Sequence, residues 1–425
     1  LEEYYLMQKL ARGFGTENID FRLDHANLSP GSSMDSSITL SEIESVDHAL
    51  ILSSYTRLEQ PMINHRIRKA VINGATVNTI NSKKFDFNFK TKIDLLASPQ
   101  TLLPALQSIL KSLYLKTKAD LPEQLSKVNF SDEHDKFADD LIASENGVIV
   151  LGEHLNSNSS SSVIISTVSQ IARISNSKIA NLTLSGNAHS AEKVGFIPTN
   201  QGMNAGSMLT ESSKAFLLMD VDSEYDFYNP KLAMDLFNKD DVFVVSLTSF
   251  ENQSTLLSAD VILPMASFYE TSGTHINFDG IAQSFSASVK SPGDSKPGWK
   301  IIKVMADLLK LEGFNFVDSS QVAEKALLSS KAQTNISGVS AETFEDSDIT
   351  TLWQYAPYAI DNVTRRAKAL QDSNIGKINS AYIAKSTAKK LSLSEDDLYL
   401  GVPVSISDDV AEDCVFVHTS QARRV

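Results

Sequence analysis

Apolar positions along this chain fall into two recurring rhythms. Short continuous runs at residues 48–53 (HALILS), 75–80, 147–152 (GVIVLG) and 242–247 are bounded by polar or turn-forming residues and read as buried strands. Between them, residues 2–14, 61–71, 99–115, 163–174, 231–238 and 299–311 carry apolar residues at three- and four-residue spacing and read as amphipathic helices. Leu6, Leu10 and Phe14 share one face of the first, and Leu102, Leu106, Ile109 and Leu113 one face of the third. Further strands are predicted at 93–97, 181–185, 215–221 and 259–263. Residues 48–80 read as one strand–helix–strand unit, and the alternation along the chain predicts parallel sheets with helices on both faces, an α/β class.

The rhythm weakens in three places. Residues 116–134 are polar and irregular, with helical character. Residues 318–350 read as a linker or surface excursion. Residues 378–425 hold short apolar segments, LYLGVPVSI and CVFVH, separated by acidic turns such as Ser394-Glu395-Asp396-Asp397, and predict a small β-rich module. The stretch 259–283 joins a buried strand, stopped by Pro264, to a polar loop punctuated by Gly273 and Gly280. Such a loop either presents groups at the carboxyl edge of a sheet or returns as a hairpin that shapes the surface. The second reading is favoured, since no nucleophile–base pair is visible there.

Composition narrows the function. A net charge of −14 over 425 residues argues against sequence-independent nucleic-acid binding and against docking on anionic lipid. Cys414, the sole cysteine, excludes an intramolecular disulfide and any four-cysteine zinc or iron–sulfur site within the sequence given. No apolar run approaches a membrane span in length. The chain opens at Leu1 directly in a helical pattern, which reads as a fragment whose upstream part lies outside it.

Candidate chemistry is sparse. Gly13-Phe14-Gly15 follows a helix instead of opening one, and Asn18 stands where a third glycine is needed, so it reads as a helix stop. His65, Arg66, Arg68 and Lys69 form a basic helix face, suited to a phosphate but better read as solvated or paired with acidic surface. The serine-rich start of the helix at 163 offers N-caps or an anion site, with caps favoured. Asp220, Asp222, Glu224 and Asp226 at a strand end lack the glycine turn of a calcium loop. Eight histidines (His25, His48, His65, His134, His154, His189, His275 and His418) have no metal-ligand spacing. No residue is therefore assigned as catalytic, cofactor-binding or metal-binding.

Four stretches together carry a resemblance: residues 6–22 (LMQKLARGFGTENIDFR), 56–70 (TRLEQPMINHRIRKA), 258–283 (SADVILPMASFYETSGTHINFDGIAQ) and 292–303 (PGDSKPGWKIIK). They resemble the molybdopterin-oxidoreductase superfamily, with its formate dehydrogenase and DMSO reductase domains. Within it they are similar to the G-subunit branch of the proton-pumping NADH:quinone oxidoreductase, respiratory complex I. The resemblance covers most of residues 1–315. It implies two Rossmann-like parallel-sheet α/β domains, at 22–205 and at 1–21 with 206–345, followed by a linker and β-rich module at 346–425.

The departures matter as much as the matches. Catalytic members place a molybdenum ligand shortly after the segment matching Asn18-Ile19-Asp20. Here residues 21–27 read FRLDHAN, and the nearest hydroxyl is Ser29. Their Gly-x-Asn-Pro turn is Ser53-Ser54-Tyr55-Thr56 here, their acidic-Pro-Arg loop is Asn81-Ser82-Lys83, and a glycine after the strand ending at Met219 is Asp220. Glycine lets backbone approach a pyrophosphate, and a carboxylate repels it. The resemblance thus implies a scaffold without a molybdopterin site. The 2Fe-2S and 4Fe-4S clusters are expected upstream, and the partners are other subunits of the peripheral arm, on the cytoplasmic side of a bacterial inner membrane. An active molybdopterin oxidoreductase and a small-anion binding protein are the alternatives.

Overall fold

The computed structural model describes residues 1–24, 36–152, 154–155, 158, 160–183, 186–199, 202–211, 213–329 and 349–421. Helix α1 (Glu2–Gly13) comes first and ends where Gly15 takes a φ of +82°, a helix stop of the kind the glycines predict. The first sheet follows, built from β1 (His48–Leu52), β2 (Thr76–Asn81), β3 (Ile93–Leu96), β4 (Gly147–Leu151) and β5 (Lys178–Asn181) in the order β3-β2-β1-β4-β5. All four pairings are parallel.

Alternation along these strands fills both faces. Leu50, Leu52, Ile149 and Leu151 pack against Leu103, Leu106 and Ile109 of the helix Pro99–Thr117, Leu141 of the helix Asp132–Ala143, and Val168 of the helix Ser161–Ser175. Ala49, Ile51, Val148 and Val150 face the other way, onto Ile63 and Ile67 of the helix Pro61–Ile72. A sheet covered on both sides needs continuous apolar runs, which is why HALIL and GVIVL are legible as strands. The helix Pro99–Thr117 begins where the Ser98 N–H donates to Thr101 Oγ1 at 2.9 Å, with proline at its first position.

The second parallel sheet has β6 (Ala215–Met219), β7 (Phe243–Thr248) and β8 (Val261–Pro264), ordered β6-β7-β8. One face packs with α1 and the helices Gly298–Leu308 and Ser319–Ser329, where Leu6, Leu10, Trp299, Ile302 and Val322 form a shared core. The other face carries the helix Pro230–Phe237 over Val244. A hairpin of β9 (Gly273–Ile276) and β10 (Ala282–Phe285) follows. The third sheet, β11 (Thr350–Tyr355), β12 (Asn379–Ile383), β13 (Leu398–Tyr399), β14 (Val402–Ile406) and β15 (Cys414–Thr419), is mixed, in the order β11-β15-β12-β14-β13.

Several expectations change. The strand expected at 181–185 lies at Lys178–Asn181, because its ladder with Val148–Leu151 fixes the register, and residues 184–185 lie outside the described set. The polar stretch 116–134 holds the short helix Glu123–Ser126 and the start of Asp132–Ala143. The expected excursion after residue 318 contains the helix Ser319–Ser329, held to α1 by small residues, Ala323 and Ala326. The β module begins at β11, ahead of residue 378. β8 is not a buried strand: Val261 and Ile262 are each 38% exposed, because β8 is the sheet's edge.

Candidate functional site

In an open parallel sheet, ligands bind outside the carboxyl ends of the strands where the strand order reverses. In the first sheet that point lies between β1 and β4. β1 leads into Ser53, which holds a φ of +51°, the left-handed conformation that favours glycine. The turn therefore keeps a glycine backbone while carrying a side chain. Gly152 follows β4 so closely that an added Cβ would stand 2.2 Å from Ser53 O and 2.3 Å from Ser54 Cβ. Protein meets protein at the mouth of this crevice.

A carboxylate sits in the turn. Glu59 ends the short helix Thr56–Glu59, and its side chain is 5% exposed. It accepts from Ser54 Oγ at 2.7 Å, from Tyr55 N at 3.0 Å and from Gln354 Nε2 at 2.7 Å. The Ser54 N–H donates to Asn81 Oδ1 at 2.8 Å. The amides that a phosphate would use are thus already engaged by side chains of the chain itself. His154 Nε2 lies 3.7 Å from Glu59 Oε1, and its ring meets Phe416 edge-on.

The third sheet closes over this point. Gln354 on β11 is the register partner of His418 on β15, and both are buried. Burial drives the His418 imidazole down to about 4, helped by His154 and Lys83. The Asn81-Ser82-Lys83 segment also turns to this module. The Ala411 N–H donates to Ser82 O at 2.8 Å, and the Lys83 ammonium lies over the Phe85 and Tyr382 rings. Burial lowers the Lys83 pKa.

The second sheet repeats the theme. Asp220, directly after β6, holds a φ of +52° and accepts from Ser249 N at 3.1 Å. Asn362, buried, donates from Nδ2 to Asp220 O at 3.2 Å. Arg365 donates to Asp226 Oδ1 at 2.6 Å, to Ala359 O at 2.7 Å and to Ile360 O at 3.0 Å. Burial pushes the Asp226 carboxyl up against the pull of this guanidinium. The acidic strand end is thus internally bonded: Asp222 Oδ1 accepts from Glu224 N and Ser254 Oγ, each at 3.2 Å. Among the described residues no group of three or more histidine, cysteine or acidic side chains is placed to hold a metal ion.

Next to Asp220 lies a cavity of about 180 Å³, lined among others by Glu2, Glu3, Ser249, Thr271 and His275. Burial, reinforced by Glu2 and Asp220, raises the Glu3 pKa, and burial lowers that of His275. Glu2 Oε2 accepts from Thr274 N at 3.0 Å. The 270–283 loop returns as a hairpin, the reading favoured from the sequence, and its Thr274 and His275 line this cavity beside Asp220.

The other constellations separate. On the basic helix face, Arg66 and Lys69 both pair with Glu44, Lys69 at 2.9 Å. At the serine-rich helix start, Asn158 Oδ1 accepts from Ser160 N at 2.9 Å, and residues 156, 157 and 159 lie outside the described set. His25 to Ser29 also lie outside it, while Arg22 pairs with Asp20 at 2.8 Å. Cys414 is fully buried, and burial pushes its thiol to about 12. Sequence reasoning missed Glu59 and Gln354, which meet across 295 residues of sequence, and His418, the register partner of Gln354. The only signal in the sequence was the lost glycine turn at Ser53.

Residues 1–308 match the molybdopterin oxidoreductase family. The chain is 26% identical over 291 residues to the mitochondrial NADH dehydrogenase (ubiquinone) iron-sulfur protein 1 of Solanum tuberosum, covering 67% of this chain and 33% of that protein. It is 22% identical over 294 residues to the NADH-ubiquinone oxidoreductase 75 kDa subunit of Reclinomonas americana, covering 69% and 36%. The chain therefore spans about a third of the length of the curated relatives it matches. Acetylene hydratase from Pelobacter acetylenicus superposes over 99% of this chain and 75% of that one, with a TM-score of 0.59 and 12% identity, a likeness of fold.

Proposed function

The chain belongs to the molybdopterin oxidoreductase family, and from that premise we propose that it is a structural portion of an NADH:quinone oxidoreductase subunit, carrying no molybdopterin site of its own. It braces the part of the subunit that relays electrons through iron–sulfur clusters and offers surface to neighbouring subunits of the peripheral arm. Its place in this reading is the cytoplasmic face of a bacterial inner membrane. Among the described residues no helix is long and apolar enough to cross a membrane.

The observation that carries this reading is Glu59 in the β1 turn. A dinucleotide cofactor brings a pyrophosphate to such a turn and needs free backbone N–H groups. Here a carboxylate takes the Tyr55 amide and Asn81 takes that of Ser54. Two negative charges about 4 Å apart repel by about 4 kcal/mol at an effective dielectric near 20, roughly three powers of ten in affinity. The two glycine-like turns at Ser53 and Asp220 support the same reading from the backbone side. They keep the conformation a cofactor turn uses while filling it with side chains.

The residues present do not fit the pterin group. The test is elemental analysis for molybdenum and tungsten on the protein purified in its assembly, paired with mass spectrometry for released pterin. The scaffold reading expects neither above background. Stoichiometric metal with pterin would overturn it in favour of an active oxidoreductase.

A further inference from the structure

The second parallel sheet ends at β8, and this edge is unusual in two ways. Parallel strands are ordinarily buried, yet Val261 and Ile262 are exposed, and Leu256 and Leu257 on the preceding helix Gln253–Ser258 are 54% and 64% exposed. The ladder is also open. Asp260 N donates to Val244 O, which fixes the side of β8 that faces β7, and after Pro264 the alternation slips by one residue so that Met265 N reaches Thr248 O. Alternate residues of a parallel strand bond to opposite sides, so Val261 and Leu263 turn their N–H and C=O groups outward. Beyond Pro264 the edge is covered by a bridge from Met265 to Lys296, but among the described residues no strand pairs with the Val261–Leu263 edge.

A groove of about 470 Å³ lies beside this edge, with Leu256, Ile262 and Pro264 among its apolar lining. Three carboxylates line it as well, Glu251, Glu270 and Asp294, and none forms an ion pair among the described residues. An edge that offers backbone hydrogen bonds, aliphatic floor and unpaired negative charge selects a definite occupant.

We propose that the β8 edge and this groove receive an extended, basic and apolar segment of a neighbouring protein subunit, which adds to the sheet as a fourth strand. Its backbone bonds to Val261 and Leu263, its aliphatic side chains lie on Leu256 and Ile262, and its lysine or arginine side chains face the three carboxylates. A second copy of this chain is a poor occupant, because a twofold contact would set the same carboxylates against each other. The proposal rests on the reading of the chain as one subunit of an assembly.

The experiment uses the full chain in its purified assembly, with a benzophenone photocrosslinking amino acid at position 257. The expected adduct is a peptide of a different subunit, rich in aliphatic residues and carrying lysine or arginine. The double variant Glu251→Lys with Asp294→Lys should lower its yield at least fivefold. In the same samples, hydrogen exchange at the Val261 and Leu263 amides should slow by about tenfold or more relative to the free chain, as a newly paired strand requires. A crosslink to a second copy, a crosslink to another segment of the same polypeptide, or unchanged exchange would overturn the proposal. If the chain is assembled and position 257 yields no adduct with another subunit, this surface alone is wrong. If the chain purifies with no partner subunits, the subunit reading fails as well.

Discussion

Replacing Glu59 separates a closed crevice from an open one. Its carboxylate serves three donors, Ser54 Oγ, Tyr55 N and Gln354 Nε2, in a place that is 5% exposed. Glu59→Ala strands all three. A buried donor left unpaired costs about 1–3 kcal/mol. The Tyr55 amide is fixed by the backbone and takes the full cost, whereas the Ser54 hydroxyl and the Gln354 amide can turn and recover part. The expected loss is about 4 kcal/mol. Glu59→Gln is different. Its carbonyl oxygen keeps Tyr55 and Gln354, and its amide donates to Ser54 Oγ once that hydroxyl rotates. Only the charge assistance goes, about 1 kcal/mol. The two variants therefore differ by about 3 kcal/mol although both remove the charge. Equilibrium denaturation followed by tryptophan fluorescence reads this directly, since Trp353 neighbours Gln354 on β11 and the only other tryptophan is Trp299. Equal losses below about 1 kcal/mol for both variants would refute the reasoning, because water would then be replacing Glu59 in an open crevice.

Three further outcomes follow from the same structure. Gly152→Ala forces a Cβ to within 2.2 Å of Ser53 O and should cost about 2–3 kcal/mol, while Gly186→Ala, with nothing within 4 Å, should stay within about 0.5 kcal/mol in the same assay. Arg365→Ala leaves the half-buried Asp226 carboxylate with only the Asp222 N–H and should cost about 1.5–3 kcal/mol, loosening the segment 357–366 to limited proteolysis; unchanged cleavage there would contradict the clamp. His48, with neither ring nitrogen partnered, and His418 both have folded pKa values driven down to about 4, chiefly by burial. Both are neutral in the fold and bind protons more readily when unfolded, so their contribution is present above the ordinary histidine pKa. It falls as pH drops from about 6.5 towards 4, by up to about 3 kcal/mol each. Denaturation midpoints between pH 7.5 and 4.5 should show that fall, and His48→Gln should flatten it.

Much of the fold is legible because double-sided burial writes itself into sequence. HALIL and GVIVL are the continuous apolar runs that a strand covered on both faces requires, and the leucine spacing of residues 99–115 is that of a helix with one buried face. What was not legible depends on partners far along the chain. The register of β5 is set by β4, and its KIAN sequence is no more apolar than its surroundings. The helix Ser319–Ser329 buries Val322, Ala323 and Ala326, a stripe too small to stand out from a polar segment. β8 has the sequence of a buried strand and lies at an edge, which only sheet order reveals. The crevice shows the same limit. Ser53 and Asp220 could be suspected as replaced glycines from the family resemblance, but that Glu59 fills the first turn and Arg365 braces the second needs three dimensions.

The central claim is that the β1–β4 crevice is occupied by the protein's own groups. The measurement that tests it most directly is an experimental density map of the assembled protein, purified from cells supplied with molybdate, at a resolution that shows side chains around Ser53–Glu59. The account predicts the Glu59 carboxylate in contact with Ser54 Oγ, Tyr55 N and Gln354 Nε2, and Gly152 packed on Ser53. Density for a pyrophosphate or pterin in this turn, with Glu59 swung away, would contradict it.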